Sequence, residues 1–183
     1  MELAVLLPIA AFIALAAGLA VVLRGTGRIV KRTRELEHFR GSVRDLAARV
    51  DASLGAAAGQ IDAVRRRQIG PDTIVDTITA ATDAVDRYAD EARALHGPRK
   101  AQSIRKDLVA ELERARRALE MVDHGTSMML MAGRGPRELE AQTSIKRGYL
   151  NLIHAREAFA RHALEAQDLE TDEVAAKTGP WSA

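Results

Sequence analysis

Residues 3–23 read LAVLLPIAAFIALAAGLAVVL, twenty-one positions without a charge, and Arg24 follows at once. At about 1.5 Å rise per residue a helix of that length is roughly 30 Å long, the thickness of a bilayer's hydrocarbon core. No other stretch of the chain restricts its fold so tightly. The run is expected to be a transmembrane anchor occupying residues 1–24. A cleaved signal peptide would begin basic and carry a shorter apolar core, whereas Met1-Glu2 precede this one. A helix buried in a soluble core rarely goes this far without one polar position.

The charges beyond the run set the expected topology. Arg24, Arg28, Lys31, Arg32 and Arg34 lie within eleven positions, and short basic flanks remain in the cytoplasm. The N-terminus is therefore expected outside the cell inner membrane, with the rest of a single-pass chain inside. The same five side chains are candidates for contact with the headgroups of anionic membrane lipids, at about 1 kcal/mol per basic residue near the surface. Within the run, Ala10, Ala14 and Gly18 share one face. Small residues four apart let membrane helices approach closely, so this is a candidate dimer face and a route to a homo-oligomer.

Composition narrows the partners of the remainder. There are 27 basic and 25 acidic residues, too even a balance for a nucleic-acid binder. Three Phe, two Tyr and one Trp give no stacking platform for single strands, so no nucleic acid is expected as a partner. No cysteine is present, which excludes a disulfide framework and suits a reducing compartment.

Apolar spacing organises the chain beyond the anchor into four helices. Gly25-Thr26-Gly27 is expected to be a joint, and 25–35 a basic juxtamembrane stalk. From Leu36 the stripe Leu36, Phe39, Val43, Leu46, Val50, Leu54, Ala57, Ile61 and Val64 falls within a sector about 80° wide. Gly70-Pro71 is expected to stop this helix near Ile69, with Asp72 capping the next. That second helix carries Ile74, Ile78, Ala81, Val85, Tyr88, Ala92 and Leu95, spaced by four and three, to His96. Gly97-Pro98 ends it, with glycine suited to the left-handed position. The third has Ala101, Ile104, Leu108, Leu112, Ala115, Leu119 and Val122, and is expected to weaken at His124-Gly125. The fourth, about 137–169, has Ile145, Tyr149, Leu152, Phe159 and Ala163, with Arg156 set among them. Residues 170–183 lack periodicity and are expected to be a disordered tail. The expected fold is all-α: one transmembrane helix followed by an antiparallel four-helix bundle over 36–169.

Chemistry is scarce. Glu35 and His38 have the Glu-x-x-His spacing of carboxylate-bridged metal sites, but such a site needs a second pair and two more inward glutamates, which are missing. His38 alone is weak ground for phosphotransfer. His96 and His124 are read as helix C-terminal residues that favour the dipole. No phosphate loop, nucleophile elbow or zinc cluster exists, so no enzyme and no cofactor are expected. Arg156 is expected either to reach solvent or to pair with an acid of the second helix, among Asp76, Asp83, Asp86, Asp90 and Glu91. Met128, Met129, Leu130 and Met131 form the candidate partner-binding site, because methionine suits adaptable surfaces; filling a core end is the plainer use. Trp181 is a weak candidate for a partner motif. The function expected is a cytoplasmic tether or scaffold that binds a protein partner, the alternative being a membrane-anchored sensor that works by helix rearrangement.

Overall fold

The computed structural model describes the backbone of residues 3–131 and 136–169, and the side chains of 31–131 and 137–169. Four α-helices and one 3-10 turn account for them: α1 (Leu3–Arg65), the turn Pro71–Ile74, α2 (Val75–Ala94), α3 (Ala101–Met131) and α4 (Pro136–Gln167). Among the described residues there is no strand. Residues 38–169 form one compact helical unit, and the chain before it belongs to a separate one.

Among the described residues no helix is long and apolar enough to cross a membrane. The side chains of the expected anchor, of Arg24 and Arg28, and of the face Ala10, Ala14 and Gly18 lie outside the described residues, as does the tail with Trp181. The backbone of α1 runs unbroken through 25–27, the site of the expected joint. Isolated glycines cost a helix about 1 kcal/mol each, which is not enough to end it.

Inside the compact unit the apolar stripes become the core. Phe39, Val43, Leu46, Val50, Leu54, Ile61 and Val64 of α1 are all buried, as are Ile78 and Val85 of α2 and Leu108, Leu112, Leu119 and Val122 of α3. Polar contacts fix the directions. The hydroxyls of Ser53 and Tyr88 lie 2.9 Å apart and Thr77 donates to Gln60 at 2.7 Å, so α1 and α2 run antiparallel. Arg105 donates to the Leu95 carbonyl at 3.1 Å and Asp86 faces Arg116 at 3.3 Å, so α3 reverses against α2. Gln167 donates to the Arg40 carbonyl at 3.1 Å and Ser144 to that of Met121 at 2.8 Å, which sets α4 antiparallel to both α1 and α3.

The helix ends depart from expectation, each for a local reason. α1 stops at Arg65 rather than Ile69 because Arg67 takes a left-handed conformation, φ 61°. Gln68 N–H then donates to the Ala63 carbonyl and Arg67 N–H to that of Val64, both at 2.8 Å, the reciprocal pair that closes a helix end. Gly70 rather than Asp72 precedes the next element, and Pro71 opens a 3-10 turn with its fixed φ. Gly97 has no positive φ. Its need is steric: a Cβ there would stand 2.9 Å from the Phe39 ring.

The largest difference lies in α3, which continues through His124-Gly125 to Met131. Gly125 is no break but a contact. A Cβ on it would sit 2.8 Å from the Ala141 carbonyl oxygen, and one on Gly148 of α4 would sit 2.7 Å from that of Ala118. Two glycines therefore bring the α3 and α4 backbones together, and His124 becomes an exposed mid-helix residue instead of a terminal one. Beside them Thr126 is 1% exposed and its Oγ1 has no hydrogen-bond partner. An unsatisfied buried hydroxyl carries a desolvation cost of about 1–3 kcal/mol. Thr126→Val keeps the shape and removes the hydroxyl, so it should raise stability by up to about 1 kcal/mol in a denaturant melt. A midpoint below wild type would show that the hydroxyl is satisfied in solution.

Candidate functional site

One end of the compact unit collects the end of α1, the 3-10 turn, the end of α3 and the start of α4. The helical spacing divides the methionine run between environments there. Met129 packs against the core cluster and lines a cleft of about 210 Å³ with Val64, Arg65, Gln142, Ile145 and Lys146. Met128, one position earlier, turns outward into a second cleft of about 440 Å³ with Met121, His124, Leu139 and Arg147. Leu130 is 51% exposed and Met131 88%. The run is thus neither a plain core plug nor one continuous surface. Its first two residues are half-buried and its last two face solvent. Leu139, 70% exposed, lies in the first turn of α4, and Ile69 and Val75 are exposed by about a third on the α1–α2 side. Most of the large exposed apolar side chains of the unit gather at this end.

Charged groups frame the patch. Arg67 and Glu138 approach to 3.3 Å, and Glu138 also accepts from Gln142 at 3.0 Å. Arg65 lies 5.2 Å from the centre of the Tyr149 ring, within cation–π reach, and its guanidinium binds Asp62 at 2.6 Å. That hydrogen bond is the chief reason the Asp62 carboxyl is held below the ordinary carboxylate range, against the opposing effect of burial and with help from the Arg65 and Arg66 charges. The shift fixes a sign. A depressed folded pKa contributes stability above the ordinary carboxylate value, and the contribution is lost as pH falls through the folded one. Asp62→Asn should therefore lower stability at neutral pH, by less than about 1 kcal/mol for so accessible a pair, and the deficit should vanish in acid. A deficit independent of pH would assign the loss to packing.

Arg156 finds a partner the sequence did not indicate. Its Nε donates to Asp51 of α1 at 2.7 Å, and its guanidinium lies over Gly55, where a Cβ would stand 3.5 Å from Cζ. Three of the five acids of α2 are engaged elsewhere: Glu91 with Arg49 at 3.0 Å, Asp86 with Arg116, and Asp90 with Arg93 at 2.7 Å. The Glu91 hydrogen bond also raises the already high pKa of Arg49. With a third of its side chain exposed and a single carboxylate beside it, Arg156 is a helix-to-helix clasp between α1 and α4.

The remaining candidates are placed simply. Lys31, Arg32 and Arg34 are exposed, and Lys31 comes within 4.0 Å of Glu35. Glu35 and His38 are both exposed. Among the described residues no three His, Asp or Glu side chains are grouped to hold a metal ion. Two features were missed from sequence: the Gly125–Gly148 approach, which carries no usable signal, and the exposed leucines 139, 150 and 164 on the outer face of α4, whose only signal is their spacing. No family model matches the chain, and neither a curated protein nor a solved structure does.

Proposed function

We propose that the chain is a single-pass membrane protein whose helical unit acts on the cytoplasmic face as a tether or scaffold, without catalysis of its own. The charge-free run 3–23 with five basic residues behind it is the observation that carries the membrane half of this reading. The scaffold half is supported by the apolar end of the unit. Leu130 and Met131 project into solvent beside two clefts lined by Met128 and Met129, and Arg67, Lys146 and Arg147 stand at the margins. Flexible thioethers within a rim of mixed charge, where Glu138 and Glu140 stand among the basic groups, suit a protein segment that offers apolar side chains. The exposed Lys31, Arg32 and Arg34, together with Arg24 and Arg28, complete the reading as contacts to anionic headgroups.

Photo-crosslinking separates these parts. A photoreactive residue at Met131 of the full-length chain in its native membrane should capture a discrete set of proteins, and Leu130→Glu on the same chain should deplete that set. The same probe at exposed His154, on the side of α4 away from this end, should not capture it. Identical captures at 131 and 154, or a set indifferent to Leu130→Glu, would remove the partner role from this end.

A further inference from the structure

The outer face of α4 has a pattern of its own. Positions 139, 143, 146, 150, 153, 157, 160 and 164 alternate by four and three without interruption, and at 100° per residue they lie within about a 100° sector. The buried residues of α4, among them Ala141, Ile145, Leu152, Ala155 and Phe159, occupy the opposite side. Leu139, Leu150 and Leu164 are 70%, 44% and 67% exposed on this face, and Ile153 between them is half-buried. Leu139, Leu150 and Leu164 thus form an exposed row at coiled-coil spacing, with Thr143, Lys146 and Glu157 set among them, while Ile153 also packs against the core. Large apolar side chains in such a row are uncommon on the surface of a monomer.

We infer that this face binds a second copy of the same chain, with the two α4 helices antiparallel. The occupant is identified by the order of residues along the seam. An antiparallel pair centred between 150 and 153 places Leu139 opposite Leu164 of the second copy, and Leu150 opposite its Ile153. Thr143 then meets Ala160, a small pair. The two charged positions also meet: Lys146 faces Glu157 of the second copy, once on each side of the two-fold axis. Neither residue has an ion-pair partner among the described residues of its own chain. Glu140 and Arg161, flanking the seam, come together as well. A two-fold interface must be self-complementary, and this order of residues satisfies that requirement at every layer.

The parallel alternative fails on the same residues. In register it sets Lys146 against Lys146 and Glu157 against Glu157, and like charges juxtaposed in an interface oppose association. Orientation is therefore selected by charge, while the leucines supply the contact area. Two charged layers in a seam of this length make the association reversible rather than obligate. The pairing leaves Leu130 and Met131 outside the seam but engages Lys146 of the Met129 cleft and Leu139 and Thr143 of the Met128 cleft, and it is independent of the membrane reading.

The chain contains no cysteine, so introduced ones report cleanly. Full-length chains carrying L139C and chains carrying L164C, mixed in detergent solution and oxidised, should form a mixed disulfide. L139C alone should give little, because its two copies lie at opposite ends of the pair. In that background K146E alone or E157K alone should reduce the mixed product at least about fivefold, and K146E with E157K should restore it. All these positions are exposed, so melting temperatures should stay together. A disulfide of L139C with itself that matches the mixture overturns the antiparallel pair. So does the absence of any mixed product, or a yield indifferent to the single charge reversals.

Discussion

Leu152→Asp is expected to abolish the cooperative melt of the helical unit. Leu152 has no exposed surface and faces the core from α4. Truncating such a leucine to alanine costs about 2–5 kcal/mol, and a carboxylate left there without a partner adds the cost of its desolvation. The sum rivals the entire stability of a typical domain, about 5–15 kcal/mol. Leu150, two positions away, is 44% exposed, and Leu150→Asp should change the monomer's stability by no more than about 0.5 kcal/mol. Circular dichroism on the pair reads the difference directly. Equal losses from the two substitutions would mean that α4 is rotated relative to its assigned face.

The second large effect concerns glycines and has both signs. Gly148→Ala should cost about 1–3 kcal/mol, the usual range for overpacking. Its new Cβ would meet the Ala118 carbonyl at 2.7 Å and the Val122 backbone nitrogen at 3.0 Å, and neither can swing aside as a side chain end could. Gly125→Ala meets the Ala141 carbonyl at 2.8 Å and the Ile145 nitrogen at 3.0 Å, and should cost a similar amount. One widening of the α3–α4 gap relieves both, so the double variant should lose less than the two losses combined. Gly41 and Gly59 of α1 have nothing within 4 Å of an added Cβ. Alanine at either should stabilise by up to about 1 kcal/mol, because helix propensity acts unopposed. Chemical denaturation of the four single variants checks the set, and a common sign across them would refute the close approach.

These residues also mark how far the sequence can be read. Stripes built of Leu, Ile, Val and Phe announce their buried face, and in all four helices that face is the one the core uses, Ile145, Leu152 and Phe159 of α4 included. In α4 the signal is divided. Its buried side adds Ala141, Gly148, Ala155, Ala158 and Ala166 to Ile145, Leu152 and Phe159, and those small residues contribute little to an apolar pattern, while Leu139, Leu150 and Leu164 point outward. Close backbone contact needs small residues, and small residues are quiet in sequence. Gly125 misleads for the same reason, since a glycine that admits a neighbouring helix has the same letter as one that ends its own. Arg67 shows the converse, a helix stopped by a left-handed residue that is not glycine.

The candidate site is legible as a location but not as an arrangement. Four adjacent apolar residues at 128–131 stand out in any scan, yet a helix turning about 100° per residue sends them to different surroundings. Only packing decides that Met129 faces the core and Met131 the solvent. Arg156 is similar. Five acids of α2 compete as partners in the sequence, and the answer lies on α1, where Gly55 leaves room for the guanidinium beside Asp51.

Antiparallel pairing through α4 bears on what a tether of this kind could join. In such a pair the His38 ends of the two copies would fall at opposite ends. The measurement that bears most directly on the central claim is alkaline carbonate extraction of membranes from cells making the full-length chain. The chain should stay in the membrane pellet, leave it only with detergent, and become extractable when Leu15→Arg and Leu19→Arg place two charges in the apolar run. Release of the unaltered chain by carbonate, or its recovery in the soluble fraction of untreated cells, would contradict the anchor and with it the proposed function.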